Sequence, residues 1–260
     1  MGGLGAYGRV VWVIARRAIA RTYRRPQLLM PLFLVPTMFL AVTAGGAARS
    51  IDLPGFPPVD NFFHFALAGA IAQSTMLGGL IVGTALSMDV DNGFFDRMIV
   101  SPVPRSALVL GRLLAGAIIG FGQGMFYLAI GMLFGARVEA GPLGAVIVCM
   151  LGALTAVAIG GLAVSLALRA QAQWVQGAFP LVFVGLFLSS AFFPRALLTG
   201  PAATIADYNP MSYIVEGIRD PIISTISWNI VGTAIAVAIT FSCITVAIAI
   251  RGLRRHAGAV

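Results

Sequence analysis

Three carboxylates that could bind a metal ion lie close together in the chain. Asp89, Asp91 and Asp96 lie within eight residues of one another, which invites comparison with the metal-binding motif of enzymes that transfer phosphate-linked lipid head groups. That motif needs an Asp directly before a Gly, and a further Asp pair downstream. Here Asn92 separates Asp91 from Gly93, and the next apolar run contains no Asp. The trio therefore argues against a lipid phosphotransferase.

Other catalytic arrangements are equally poorly represented. All seventeen basic residues are arginine, so a GxxxxGK[ST] phosphate loop or a lysine Schiff base is excluded. The two histidines, His64 and His256, fall on opposite sides of the membrane in the orientation argued below, which excludes paired-histidine and serine–histidine sites. Cys149 and Cys243 sit in apolar runs and indicate small buried residues. We expect no catalytic residue, cofactor or metal on this chain.

The composition is that of an integral membrane protein. Charged residues make up 10% of the 260 residues and apolar residues 59%, with a mean hydropathy of +0.95. A soluble domain carries about 25% charged residues, so 26 charged side chains are too few to cover this one. The net charge of +8 then reflects orientation in a bilayer and not nucleic-acid binding. The lysine-free, Ala/Gly/Arg-rich composition is typical of a GC-rich bacterial genome.

Six apolar runs are long enough to cross a bilayer, which takes roughly 20 helical residues. They cover about residues 27–48, 63–87, 107–134, 142–168, 175–193 and 229–250. The predicted fold is all-α and polytopic. It forms a single transmembrane domain over 1–260, with an interfacial helix at 1–26, a six-span bundle at 27–250 and a cytoplasmic tail at 251–260.

Arginine placement predicts the orientation. With a cytoplasmic N-terminus, thirteen arginines lie on the inner side and four on the outer side. An even number of spans then places both termini in the cytoplasm. We expect a multi-pass protein of the bacterial inner membrane.

The N-terminal segment has the pattern of a basic amphipathic helix. Leu4, Val11, Ala15, Ala18 and Ile19 gather on one side of the helix, opposite six arginines that include Arg16 and Arg17. Such a helix lies in the inner interface and is attracted to anionic membrane lipids. The alternative is a charged flank that only sets topology.

The inner segment between the second and third spans predicts a second interfacial helix. Asp91-Asn92-Gly93 forms a turn, and Phe94 and Phe95 begin a short amphipathic stretch that Ser101-Pro102 ends. Both aromatics would face the cytoplasm or the bilayer surface. A solvated loop is the alternative.

The outer segment from Pro194 to about Ser227 contains a predicted re-entrant helix. Asn209-Pro210 fits a helix start, and Met211, Ile214, Val215 and Ile218 then share one face. A plain exposed loop would be less apolar.

Glycines form a ladder on the third span. Gly116, Gly120 and Gly124 recur every fourth residue and let another helix approach closely. Tight packing within one bundle is the simpler interpretation of this ladder.

Two motifs resemble the ABC-2 family of ABC-transporter permeases, especially the daunorubicin-resistance type of drug and lipid exporters. The inner motif is Asp91, Gly93, Asp96-Arg97, Ser101-Pro102-Val103-Pro104-Arg105 and Gly111-Arg112. The outer motif is Phe193-Pro194, Asn209-Pro210, Tyr213 and Arg219. Glutamate is commoner than aspartate in the family at the positions of Asp91 and Asp96. With six spans, the resemblance covers essentially the whole chain.

The resemblance implies a division of labour. Two permease subunits, as a homodimer or paired with a sister chain, would meet two cytoplasmic ATPase subunits that bind the ATP and Mg. The coupling contacts implied are Arg16, Arg17, Asp91, Gly93, Phe94, Phe95, Asp96, Arg97, Pro102 and Arg105. An outer gate would comprise Asn209, Pro210, Tyr213, Glu216 and Arg219. The expected function is ATP-driven outward movement of an amphipathic drug, lipid or polyketide-like substrate.

Two other function classes compete with this interpretation. A gradient-driven transporter or channel would normally carry ionisable groups in mid-membrane, yet the middles of the six runs contain no Asp, Glu or Lys. A membrane lipid-modifying enzyme would need the metal motif that is incomplete here. A neighbouring gene for a protein with GxxxxGK[ST] would favour the ABC permease.

Overall fold

Helices make up all the regular structure in the part of the chain that is described. The computed structural model describes residues 3–24, 26–95, 98, 103–169 and 172–256. The long helices are α1 (Gly3–Tyr23), α2 (Pro26–Gly46), α3 (Phe62–Asp91), α4 (Arg105–Leu133), α5 (Gly141–Ala167), α6 (Ala172–Phe187), α7 (Gly200–Tyr208), α8 (Pro210–Ile223) and α9 (Trp228–His256). Two 3₁₀ helices, Ala48–Asp52 and Arg195–Leu197, lie in connections.

Helix α3 forms the centre of the bundle. It is buried along its apolar length and packs against α2, α4, α5, α6 and α8. Small residues bring its backbone into contact with α5. A Cβ placed on Gly79 would lie 2.7 Å from the carbonyl oxygen of Ala156, and one placed on Gly83 would overlap Ala163. Larger side chains at these positions would force α3 and α5 apart.

The glycine ladder of α4 packs inside this bundle. A Cβ on Gly120 would lie 2.7 Å from the Cβ of Ala156, and one on Gly124 would lie 3.0 Å from the Cα of Cys149. A Cβ on Gly116 would lie 2.9 Å from a methyl group of Val82 in α3. The ladder therefore lets α4 approach α3 and α5 of the same chain.

Polar side chains from α3 and α4 compensate for a proline in α2. Pro36 has no N–H, so the carbonyl of Leu32 loses its helical donor. The Ser74 hydroxyl of α3 donates to that carbonyl at 2.7 Å and accepts from Gln123 Nε2 of α4 at 2.8 Å. The Tyr127 hydroxyl donates to the following carbonyl of α2 at 2.8 Å. These bonds tie α2 to the centre of the bundle.

The first and last helices both reach one hydrophobic cluster at one end of the bundle. Leu253 of α9 lies in the same buried cluster as Leu108 at the start of α4, and the partly buried Ile14 of α1 packs against this cluster. This end, which carries α1 with Arg9, Arg16, Arg17 and Arg21, is called the arginine-rich end below. The other end is called the far end.

The predicted all-helical, multi-pass architecture is confirmed. In the described part of the chain, α2, α3, α4, α5 and α9 are long and apolar enough to cross a membrane, and α6 adds a shorter apolar helix. These six helices correspond one to one with the six predicted runs. The structure also contains α7, a nine-residue helix that the sequence analysis did not predict.

One predicted boundary is wrong. The fifth run was predicted to end near Phe193, but α6 ends at Phe187, because side chains from α8 bind the carbonyls that follow it. The cytoplasmic tail predicted at 251–260 stays a prediction, and its first six residues continue α9 to His256. Residues 257–260 lie outside the described ranges.

Candidate functional site

Helix α1 is held firmly against the start of α4. Ala15 is completely buried, and a Cβ on Gly111 would lie 2.7 Å from the Cβ of Ile14. The hydroxyls of Tyr7 and Ser106 are hydrogen-bonded at 2.8 Å. An amphipathic helix that packs its apolar side this closely transmits displacement to its neighbour.

A buried carboxylate joins α1, α3 and α4. Asp89, in the last turn of α3, forms ion pairs with Arg21 of α1 and with Arg112 of α4, the second at 2.5 Å. The side chains of Asp89 and Arg112 are only 7% and 8% exposed, whereas that of Arg21 is 31% exposed. Arg112 lies beside Asp89 and is buried. This trio fixes three helices at the arginine-rich end.

The segment after α3 turns sharply and sends one aromatic side chain inward. Gly93 adopts φ +64°, a left-handed conformation that favours glycine, and its N–H donates to the carbonyl of Val90 at 2.9 Å. The prediction that Phe95 faces the cytoplasm or the bilayer surface is wrong. Phe95 is fully buried in the cluster that contains Leu86 and Leu108, where it removes a large apolar area from solvent.

Phe94 lies on the opposite side of this turn, against α1. The guanidinium of Arg17 lies 4.3 Å from the centre of its ring, a cation–π distance. Of the other predicted coupling residues, Arg16, Asp91 and Arg105 are exposed at the same end. Asp96, Arg97 and Pro102 lie outside the described residues.

At the far end, the predicted helix start at Asn209-Pro210 is present as the first turn of α8. The Asn209 side chain accepts from the N–H of Met211 at 2.9 Å, so it caps the helix. Its Nδ2 donates to the carbonyls of Gly185 at 2.6 Å and Leu188 at 3.2 Å. One residue therefore begins α8 and binds the end of α6.

Arg219, in the middle of α8, binds the backbone that follows the end of α6. It is 4% exposed, and its Nη2 donates to the carbonyls of Ser190 at 2.8 Å and Ala191 at 3.0 Å. Its guanidinium also lies 3.7 Å from the centre of the Phe65 ring. Burial lowers the pKa of Arg219 to about 9, with Glu216 opposing the shift, so the side chain stays charged at neutral pH.

Tyr213 and Glu216, also predicted gate residues, belong to a separate surface cluster. Arg195 forms an ion pair with Glu216 at 2.7 Å and lies 4.1 Å from the centre of the Tyr213 ring. Asp207 of α7 lies 3.5 Å from Arg195. Although partial burial acts in the opposite direction, hydrogen bonding to Tyr213 and the charge of Glu216 raise the pKa of Arg195. This cluster connects α7 and α8 on the surface.

The predicted gate residues lie together around the end of α6, but four of them fall into two pairs. Asn209 and Arg219 bind buried carbonyls, while Tyr213 and Glu216 lie near the surface. Residues 214, 215 and 218 of the predicted apolar face are fully buried. Helix α8 also packs deep between its neighbours, because a Cβ on Gly217 would overlap the Cβ of Ala234 in α9.

Sequence reasoning missed the main electrostatic link at the arginine-rich end. Asp89 was considered only as part of the metal-binding trio, and Arg21 and Arg112 were not assigned to the site. The signal available was an acid at the end of one span facing an arginine one turn inside the next. Among the described residues, no group of three His, Cys, Asp or Glu side chains could hold a metal.

The chain is similar to known membrane transport proteins. The family description "ABC-2 type transporter" matches residues 9–223. The daunorubicin resistance ABC transporter permease protein DrrB1 of Streptomyces coeruleorubidus is 26% identical over 235 residues, which covers 85% of this chain and 78% of that protein. A putative transport permease, ycf38, of Porphyra purpurea is 25% identical over 228 residues, with 86% and 77% covered. The ycf38 protein of Pyropia yezoensis is 25% identical over 219 residues, with 82% and 73% covered.

Proposed function

Because the chain belongs to the ABC-2 type transporter family, which makes it a multi-pass membrane transport permease, we propose that it is the membrane subunit of an ATP-driven exporter. ATP would be hydrolysed by a separate ABC ATPase, since this chain has no lysine for a phosphate loop. The observation that carries the proposal is the family match over residues 9–223.

The ATPase docks on the arginine-rich end, which faces the cytoplasm of a bacterial cell under the positive-inside rule. Contacts are made by the exposed side of α1, with Arg16, and by the segment that begins at Gly93. Movement of α1 is transmitted to α3 and α4 through the ion pairs of Asp89. Movement of the segment after Gly93 is transmitted to α1 through the contact between Phe94 and Arg17.

The substrate is an amphipathic drug or lipid. The middles of the spans carry no Asp, Glu or Lys, and the polar groups buried there are amides and hydroxyls such as Gln73, Gln123 and Ser74. Such groups accept a mostly apolar molecule with a few hydrogen-bonding atoms. DrrB1 is named for resistance to daunorubicin, a reasonable first probe for this chain.

A second permease subunit completes the path. Helix α2 is mostly exposed on the surface of the bundle, in contrast to the buried α3, and α6 exposes Leu181, Val184 and Phe187. Two copies, or this chain and a sister chain, pair through these helices. The end of α6 and helix α8, held together by Asn209 and Arg219, then move as one unit and gate the path at the far end.

The test is co-purification with candidate ABC ATPases, starting with any that a neighbouring gene encodes. We expect a stable complex whose vanadate-sensitive ATP hydrolysis increases with daunorubicin or another amphipathic compound. An ATPase variant without its phosphate-loop lysine is the negative control. If the ATPase neither binds the chain nor changes its rate in the chain's presence, the proposal is wrong.

The coupling role is tested with Arg17→Gln and Phe94→Leu. A cation–π contact contributes about 0.5–1 kcal/mol, so either variant should lower transport about two- to fivefold while the complex continues to hydrolyse ATP. Arg24→Gln removes the same charge from an exposed position just after α1 and should leave transport unchanged. Equal losses in all three variants would contradict a specific role for the Arg17–Phe94 contact.

A further inference from the structure

A deep groove opens between α1, α3 and α4 at the arginine-rich end. Its volume is about 380 Å³, within the range of small-molecule binding sites. Most of its walls are apolar and include Val13 of α1, Ile81 of α3 and Ala115 and Ile119 of α4. A site of this kind suits a hydrocarbon chain better than a soluble anion.

The polar end of the groove is strongly cationic. Its described lining contains four arginines, Arg9, Arg17, Arg21 and Arg112, against one carboxylate, Asp89. Asp89 pairs with Arg21 and Arg112, while Arg9 and Arg17 form no ion pair with any carboxylate of the described residues. Arg112 is 6% exposed, and its Nε has no hydrogen-bond partner among these residues. Among the described residues, the groove therefore has more positive than negative charge, and it has one buried donor.

The depth of the groove matches one leaflet of a bilayer. Along α3 it extends from Asp89 to Ile81, about 12 Å at 1.5 Å per residue. Along α4 it extends from Leu108 to Ile119, about 16 Å by the same rise. Half of a hydrocarbon core is about 15 Å thick. On these two helices Asp89 and Arg112 lie toward the arginine-rich end, and Ile81 and Ile119 lie about 10–12 Å farther along.

We propose that this groove binds one anionic phospholipid. Its phosphate contacts Arg9 and Arg17 and is within reach of the Nε–H of Arg112, and one acyl chain follows the apolar walls toward Ile81 and Ile119. Charge complementarity selects an anionic head group over a zwitterionic one. The lipid contacts all three helices that Asp89 joins, and so stabilises the position of α1.

The experiment is native mass spectrometry of the delipidated full-length chain with equimolar phosphatidylglycerol and phosphatidylcholine. We expect one tightly retained phosphatidylglycerol per chain. Each arginine near an anionic head group contributes about fivefold, so Arg9→Gln with Arg17→Gln should lower the preference about thirtyfold. Ala85→Phe, which places a ring in the apolar part of the groove, should reduce retention of both lipids.

The matched control is Arg16→Gln with Arg24→Gln, which removes two exposed charges at the same end but outside the groove. It should change the preference less than threefold, or about 0.6 kcal/mol of binding free energy. Equal losses in both double variants would show general attraction to the basic surface and overturn the proposal. Displacement of the lipid by millimolar inorganic phosphate would also overturn it, because the site would then recognise the phosphate alone.

Discussion

Replacing Asp89 with Asn should destabilise the chain by about 3–5 kcal/mol. The carboxylate is 7% exposed and is shared by Arg112, whose side chain is 8% exposed, and by Arg21. Asn keeps the shape and a hydrogen-bonding oxygen but removes the charge. Arg112 then remains as a buried cation without a counterion.

The magnitude follows from the two contacts separately. Removing one partner of a buried ion pair costs about 3–5 kcal/mol, because the other charge stays buried. The contact with Arg21, whose side chain is 31% exposed, contributes at most about 1 kcal/mol, since water replaces the carboxylate. For a chain of this size, the loss corresponds to a fall in unfolding midpoint of roughly 6–15 °C.

The two cysteines provide the assay. Cys149 is buried against Gly124 and Cys243 is exposed, so in a Cys243→Ala background a thiol-reactive dye reports the opening of the α4–α5 contact. Asp91→Asn is the matched control, because Asp91 is exposed two residues farther along and its loss should cost less than about 0.5 kcal/mol. Adding Arg112→Gln to Asp89→Asn should recover part of the loss. An Asp89→Asn midpoint within 2 °C of the parent, or strictly additive losses, would refute the reasoning.

Three further substitutions test the packing and the buried hydrogen bonds, each by its unfolding midpoint. Gly120→Val should lower the free energy of unfolding by at least about 1–3 kcal/mol, because the larger side chain overlaps α5. The control is Gly122→Ala, which has open space around it and should stabilise α4 by up to about 1 kcal/mol. Equal effects of the two substitutions would contradict the packing of α4 against α5. Arg219→Met should cost at least about 2 kcal/mol, since it leaves two buried carbonyls without donors, and should speed hydrogen exchange at residues 188–192. Unchanged exchange would mean that Arg219 does not hold this segment in place. Ser74→Ala should cost about 1–3 kcal/mol because the carbonyl freed by the proline of α2 loses its partner, and a neutral result would mean that α2 does not depend on this bond.

Structural features set by the surrounding bilayer or by neighbouring residues in the sequence could be predicted from the sequence. Apolar run length predicts the membrane-spanning helices because hydrocarbon demands a closed hydrogen-bonded backbone of a minimum length. Asn209-Pro210 predicts the start of α8 because capping and the fixed φ of proline are local. The same local logic predicts the turn at Gly93.

Features that depend on contacts between distant parts of the chain could not be predicted from the sequence. Phe94 and Phe95 are adjacent and chemically identical, and only the cluster around Leu108 decides that the second is buried. Arg219 was predicted at an outer gate, yet its donors are taken by carbonyls about thirty residues earlier. Asp89 was overlooked because its partners are supplied by two other helices.

The central claim is that this permease moves its substrate only with energy from a separate ATPase. The most direct measurement is the uptake of a fluorescent amphipathic probe, such as daunorubicin, into inverted proteoliposomes that contain the chain with or without that ATPase. Uptake should require both the ATPase and ATP, and should stop with vanadate. Uptake of equal rate in vesicles that contain the chain alone, with or without an imposed proton gradient, would contradict the account.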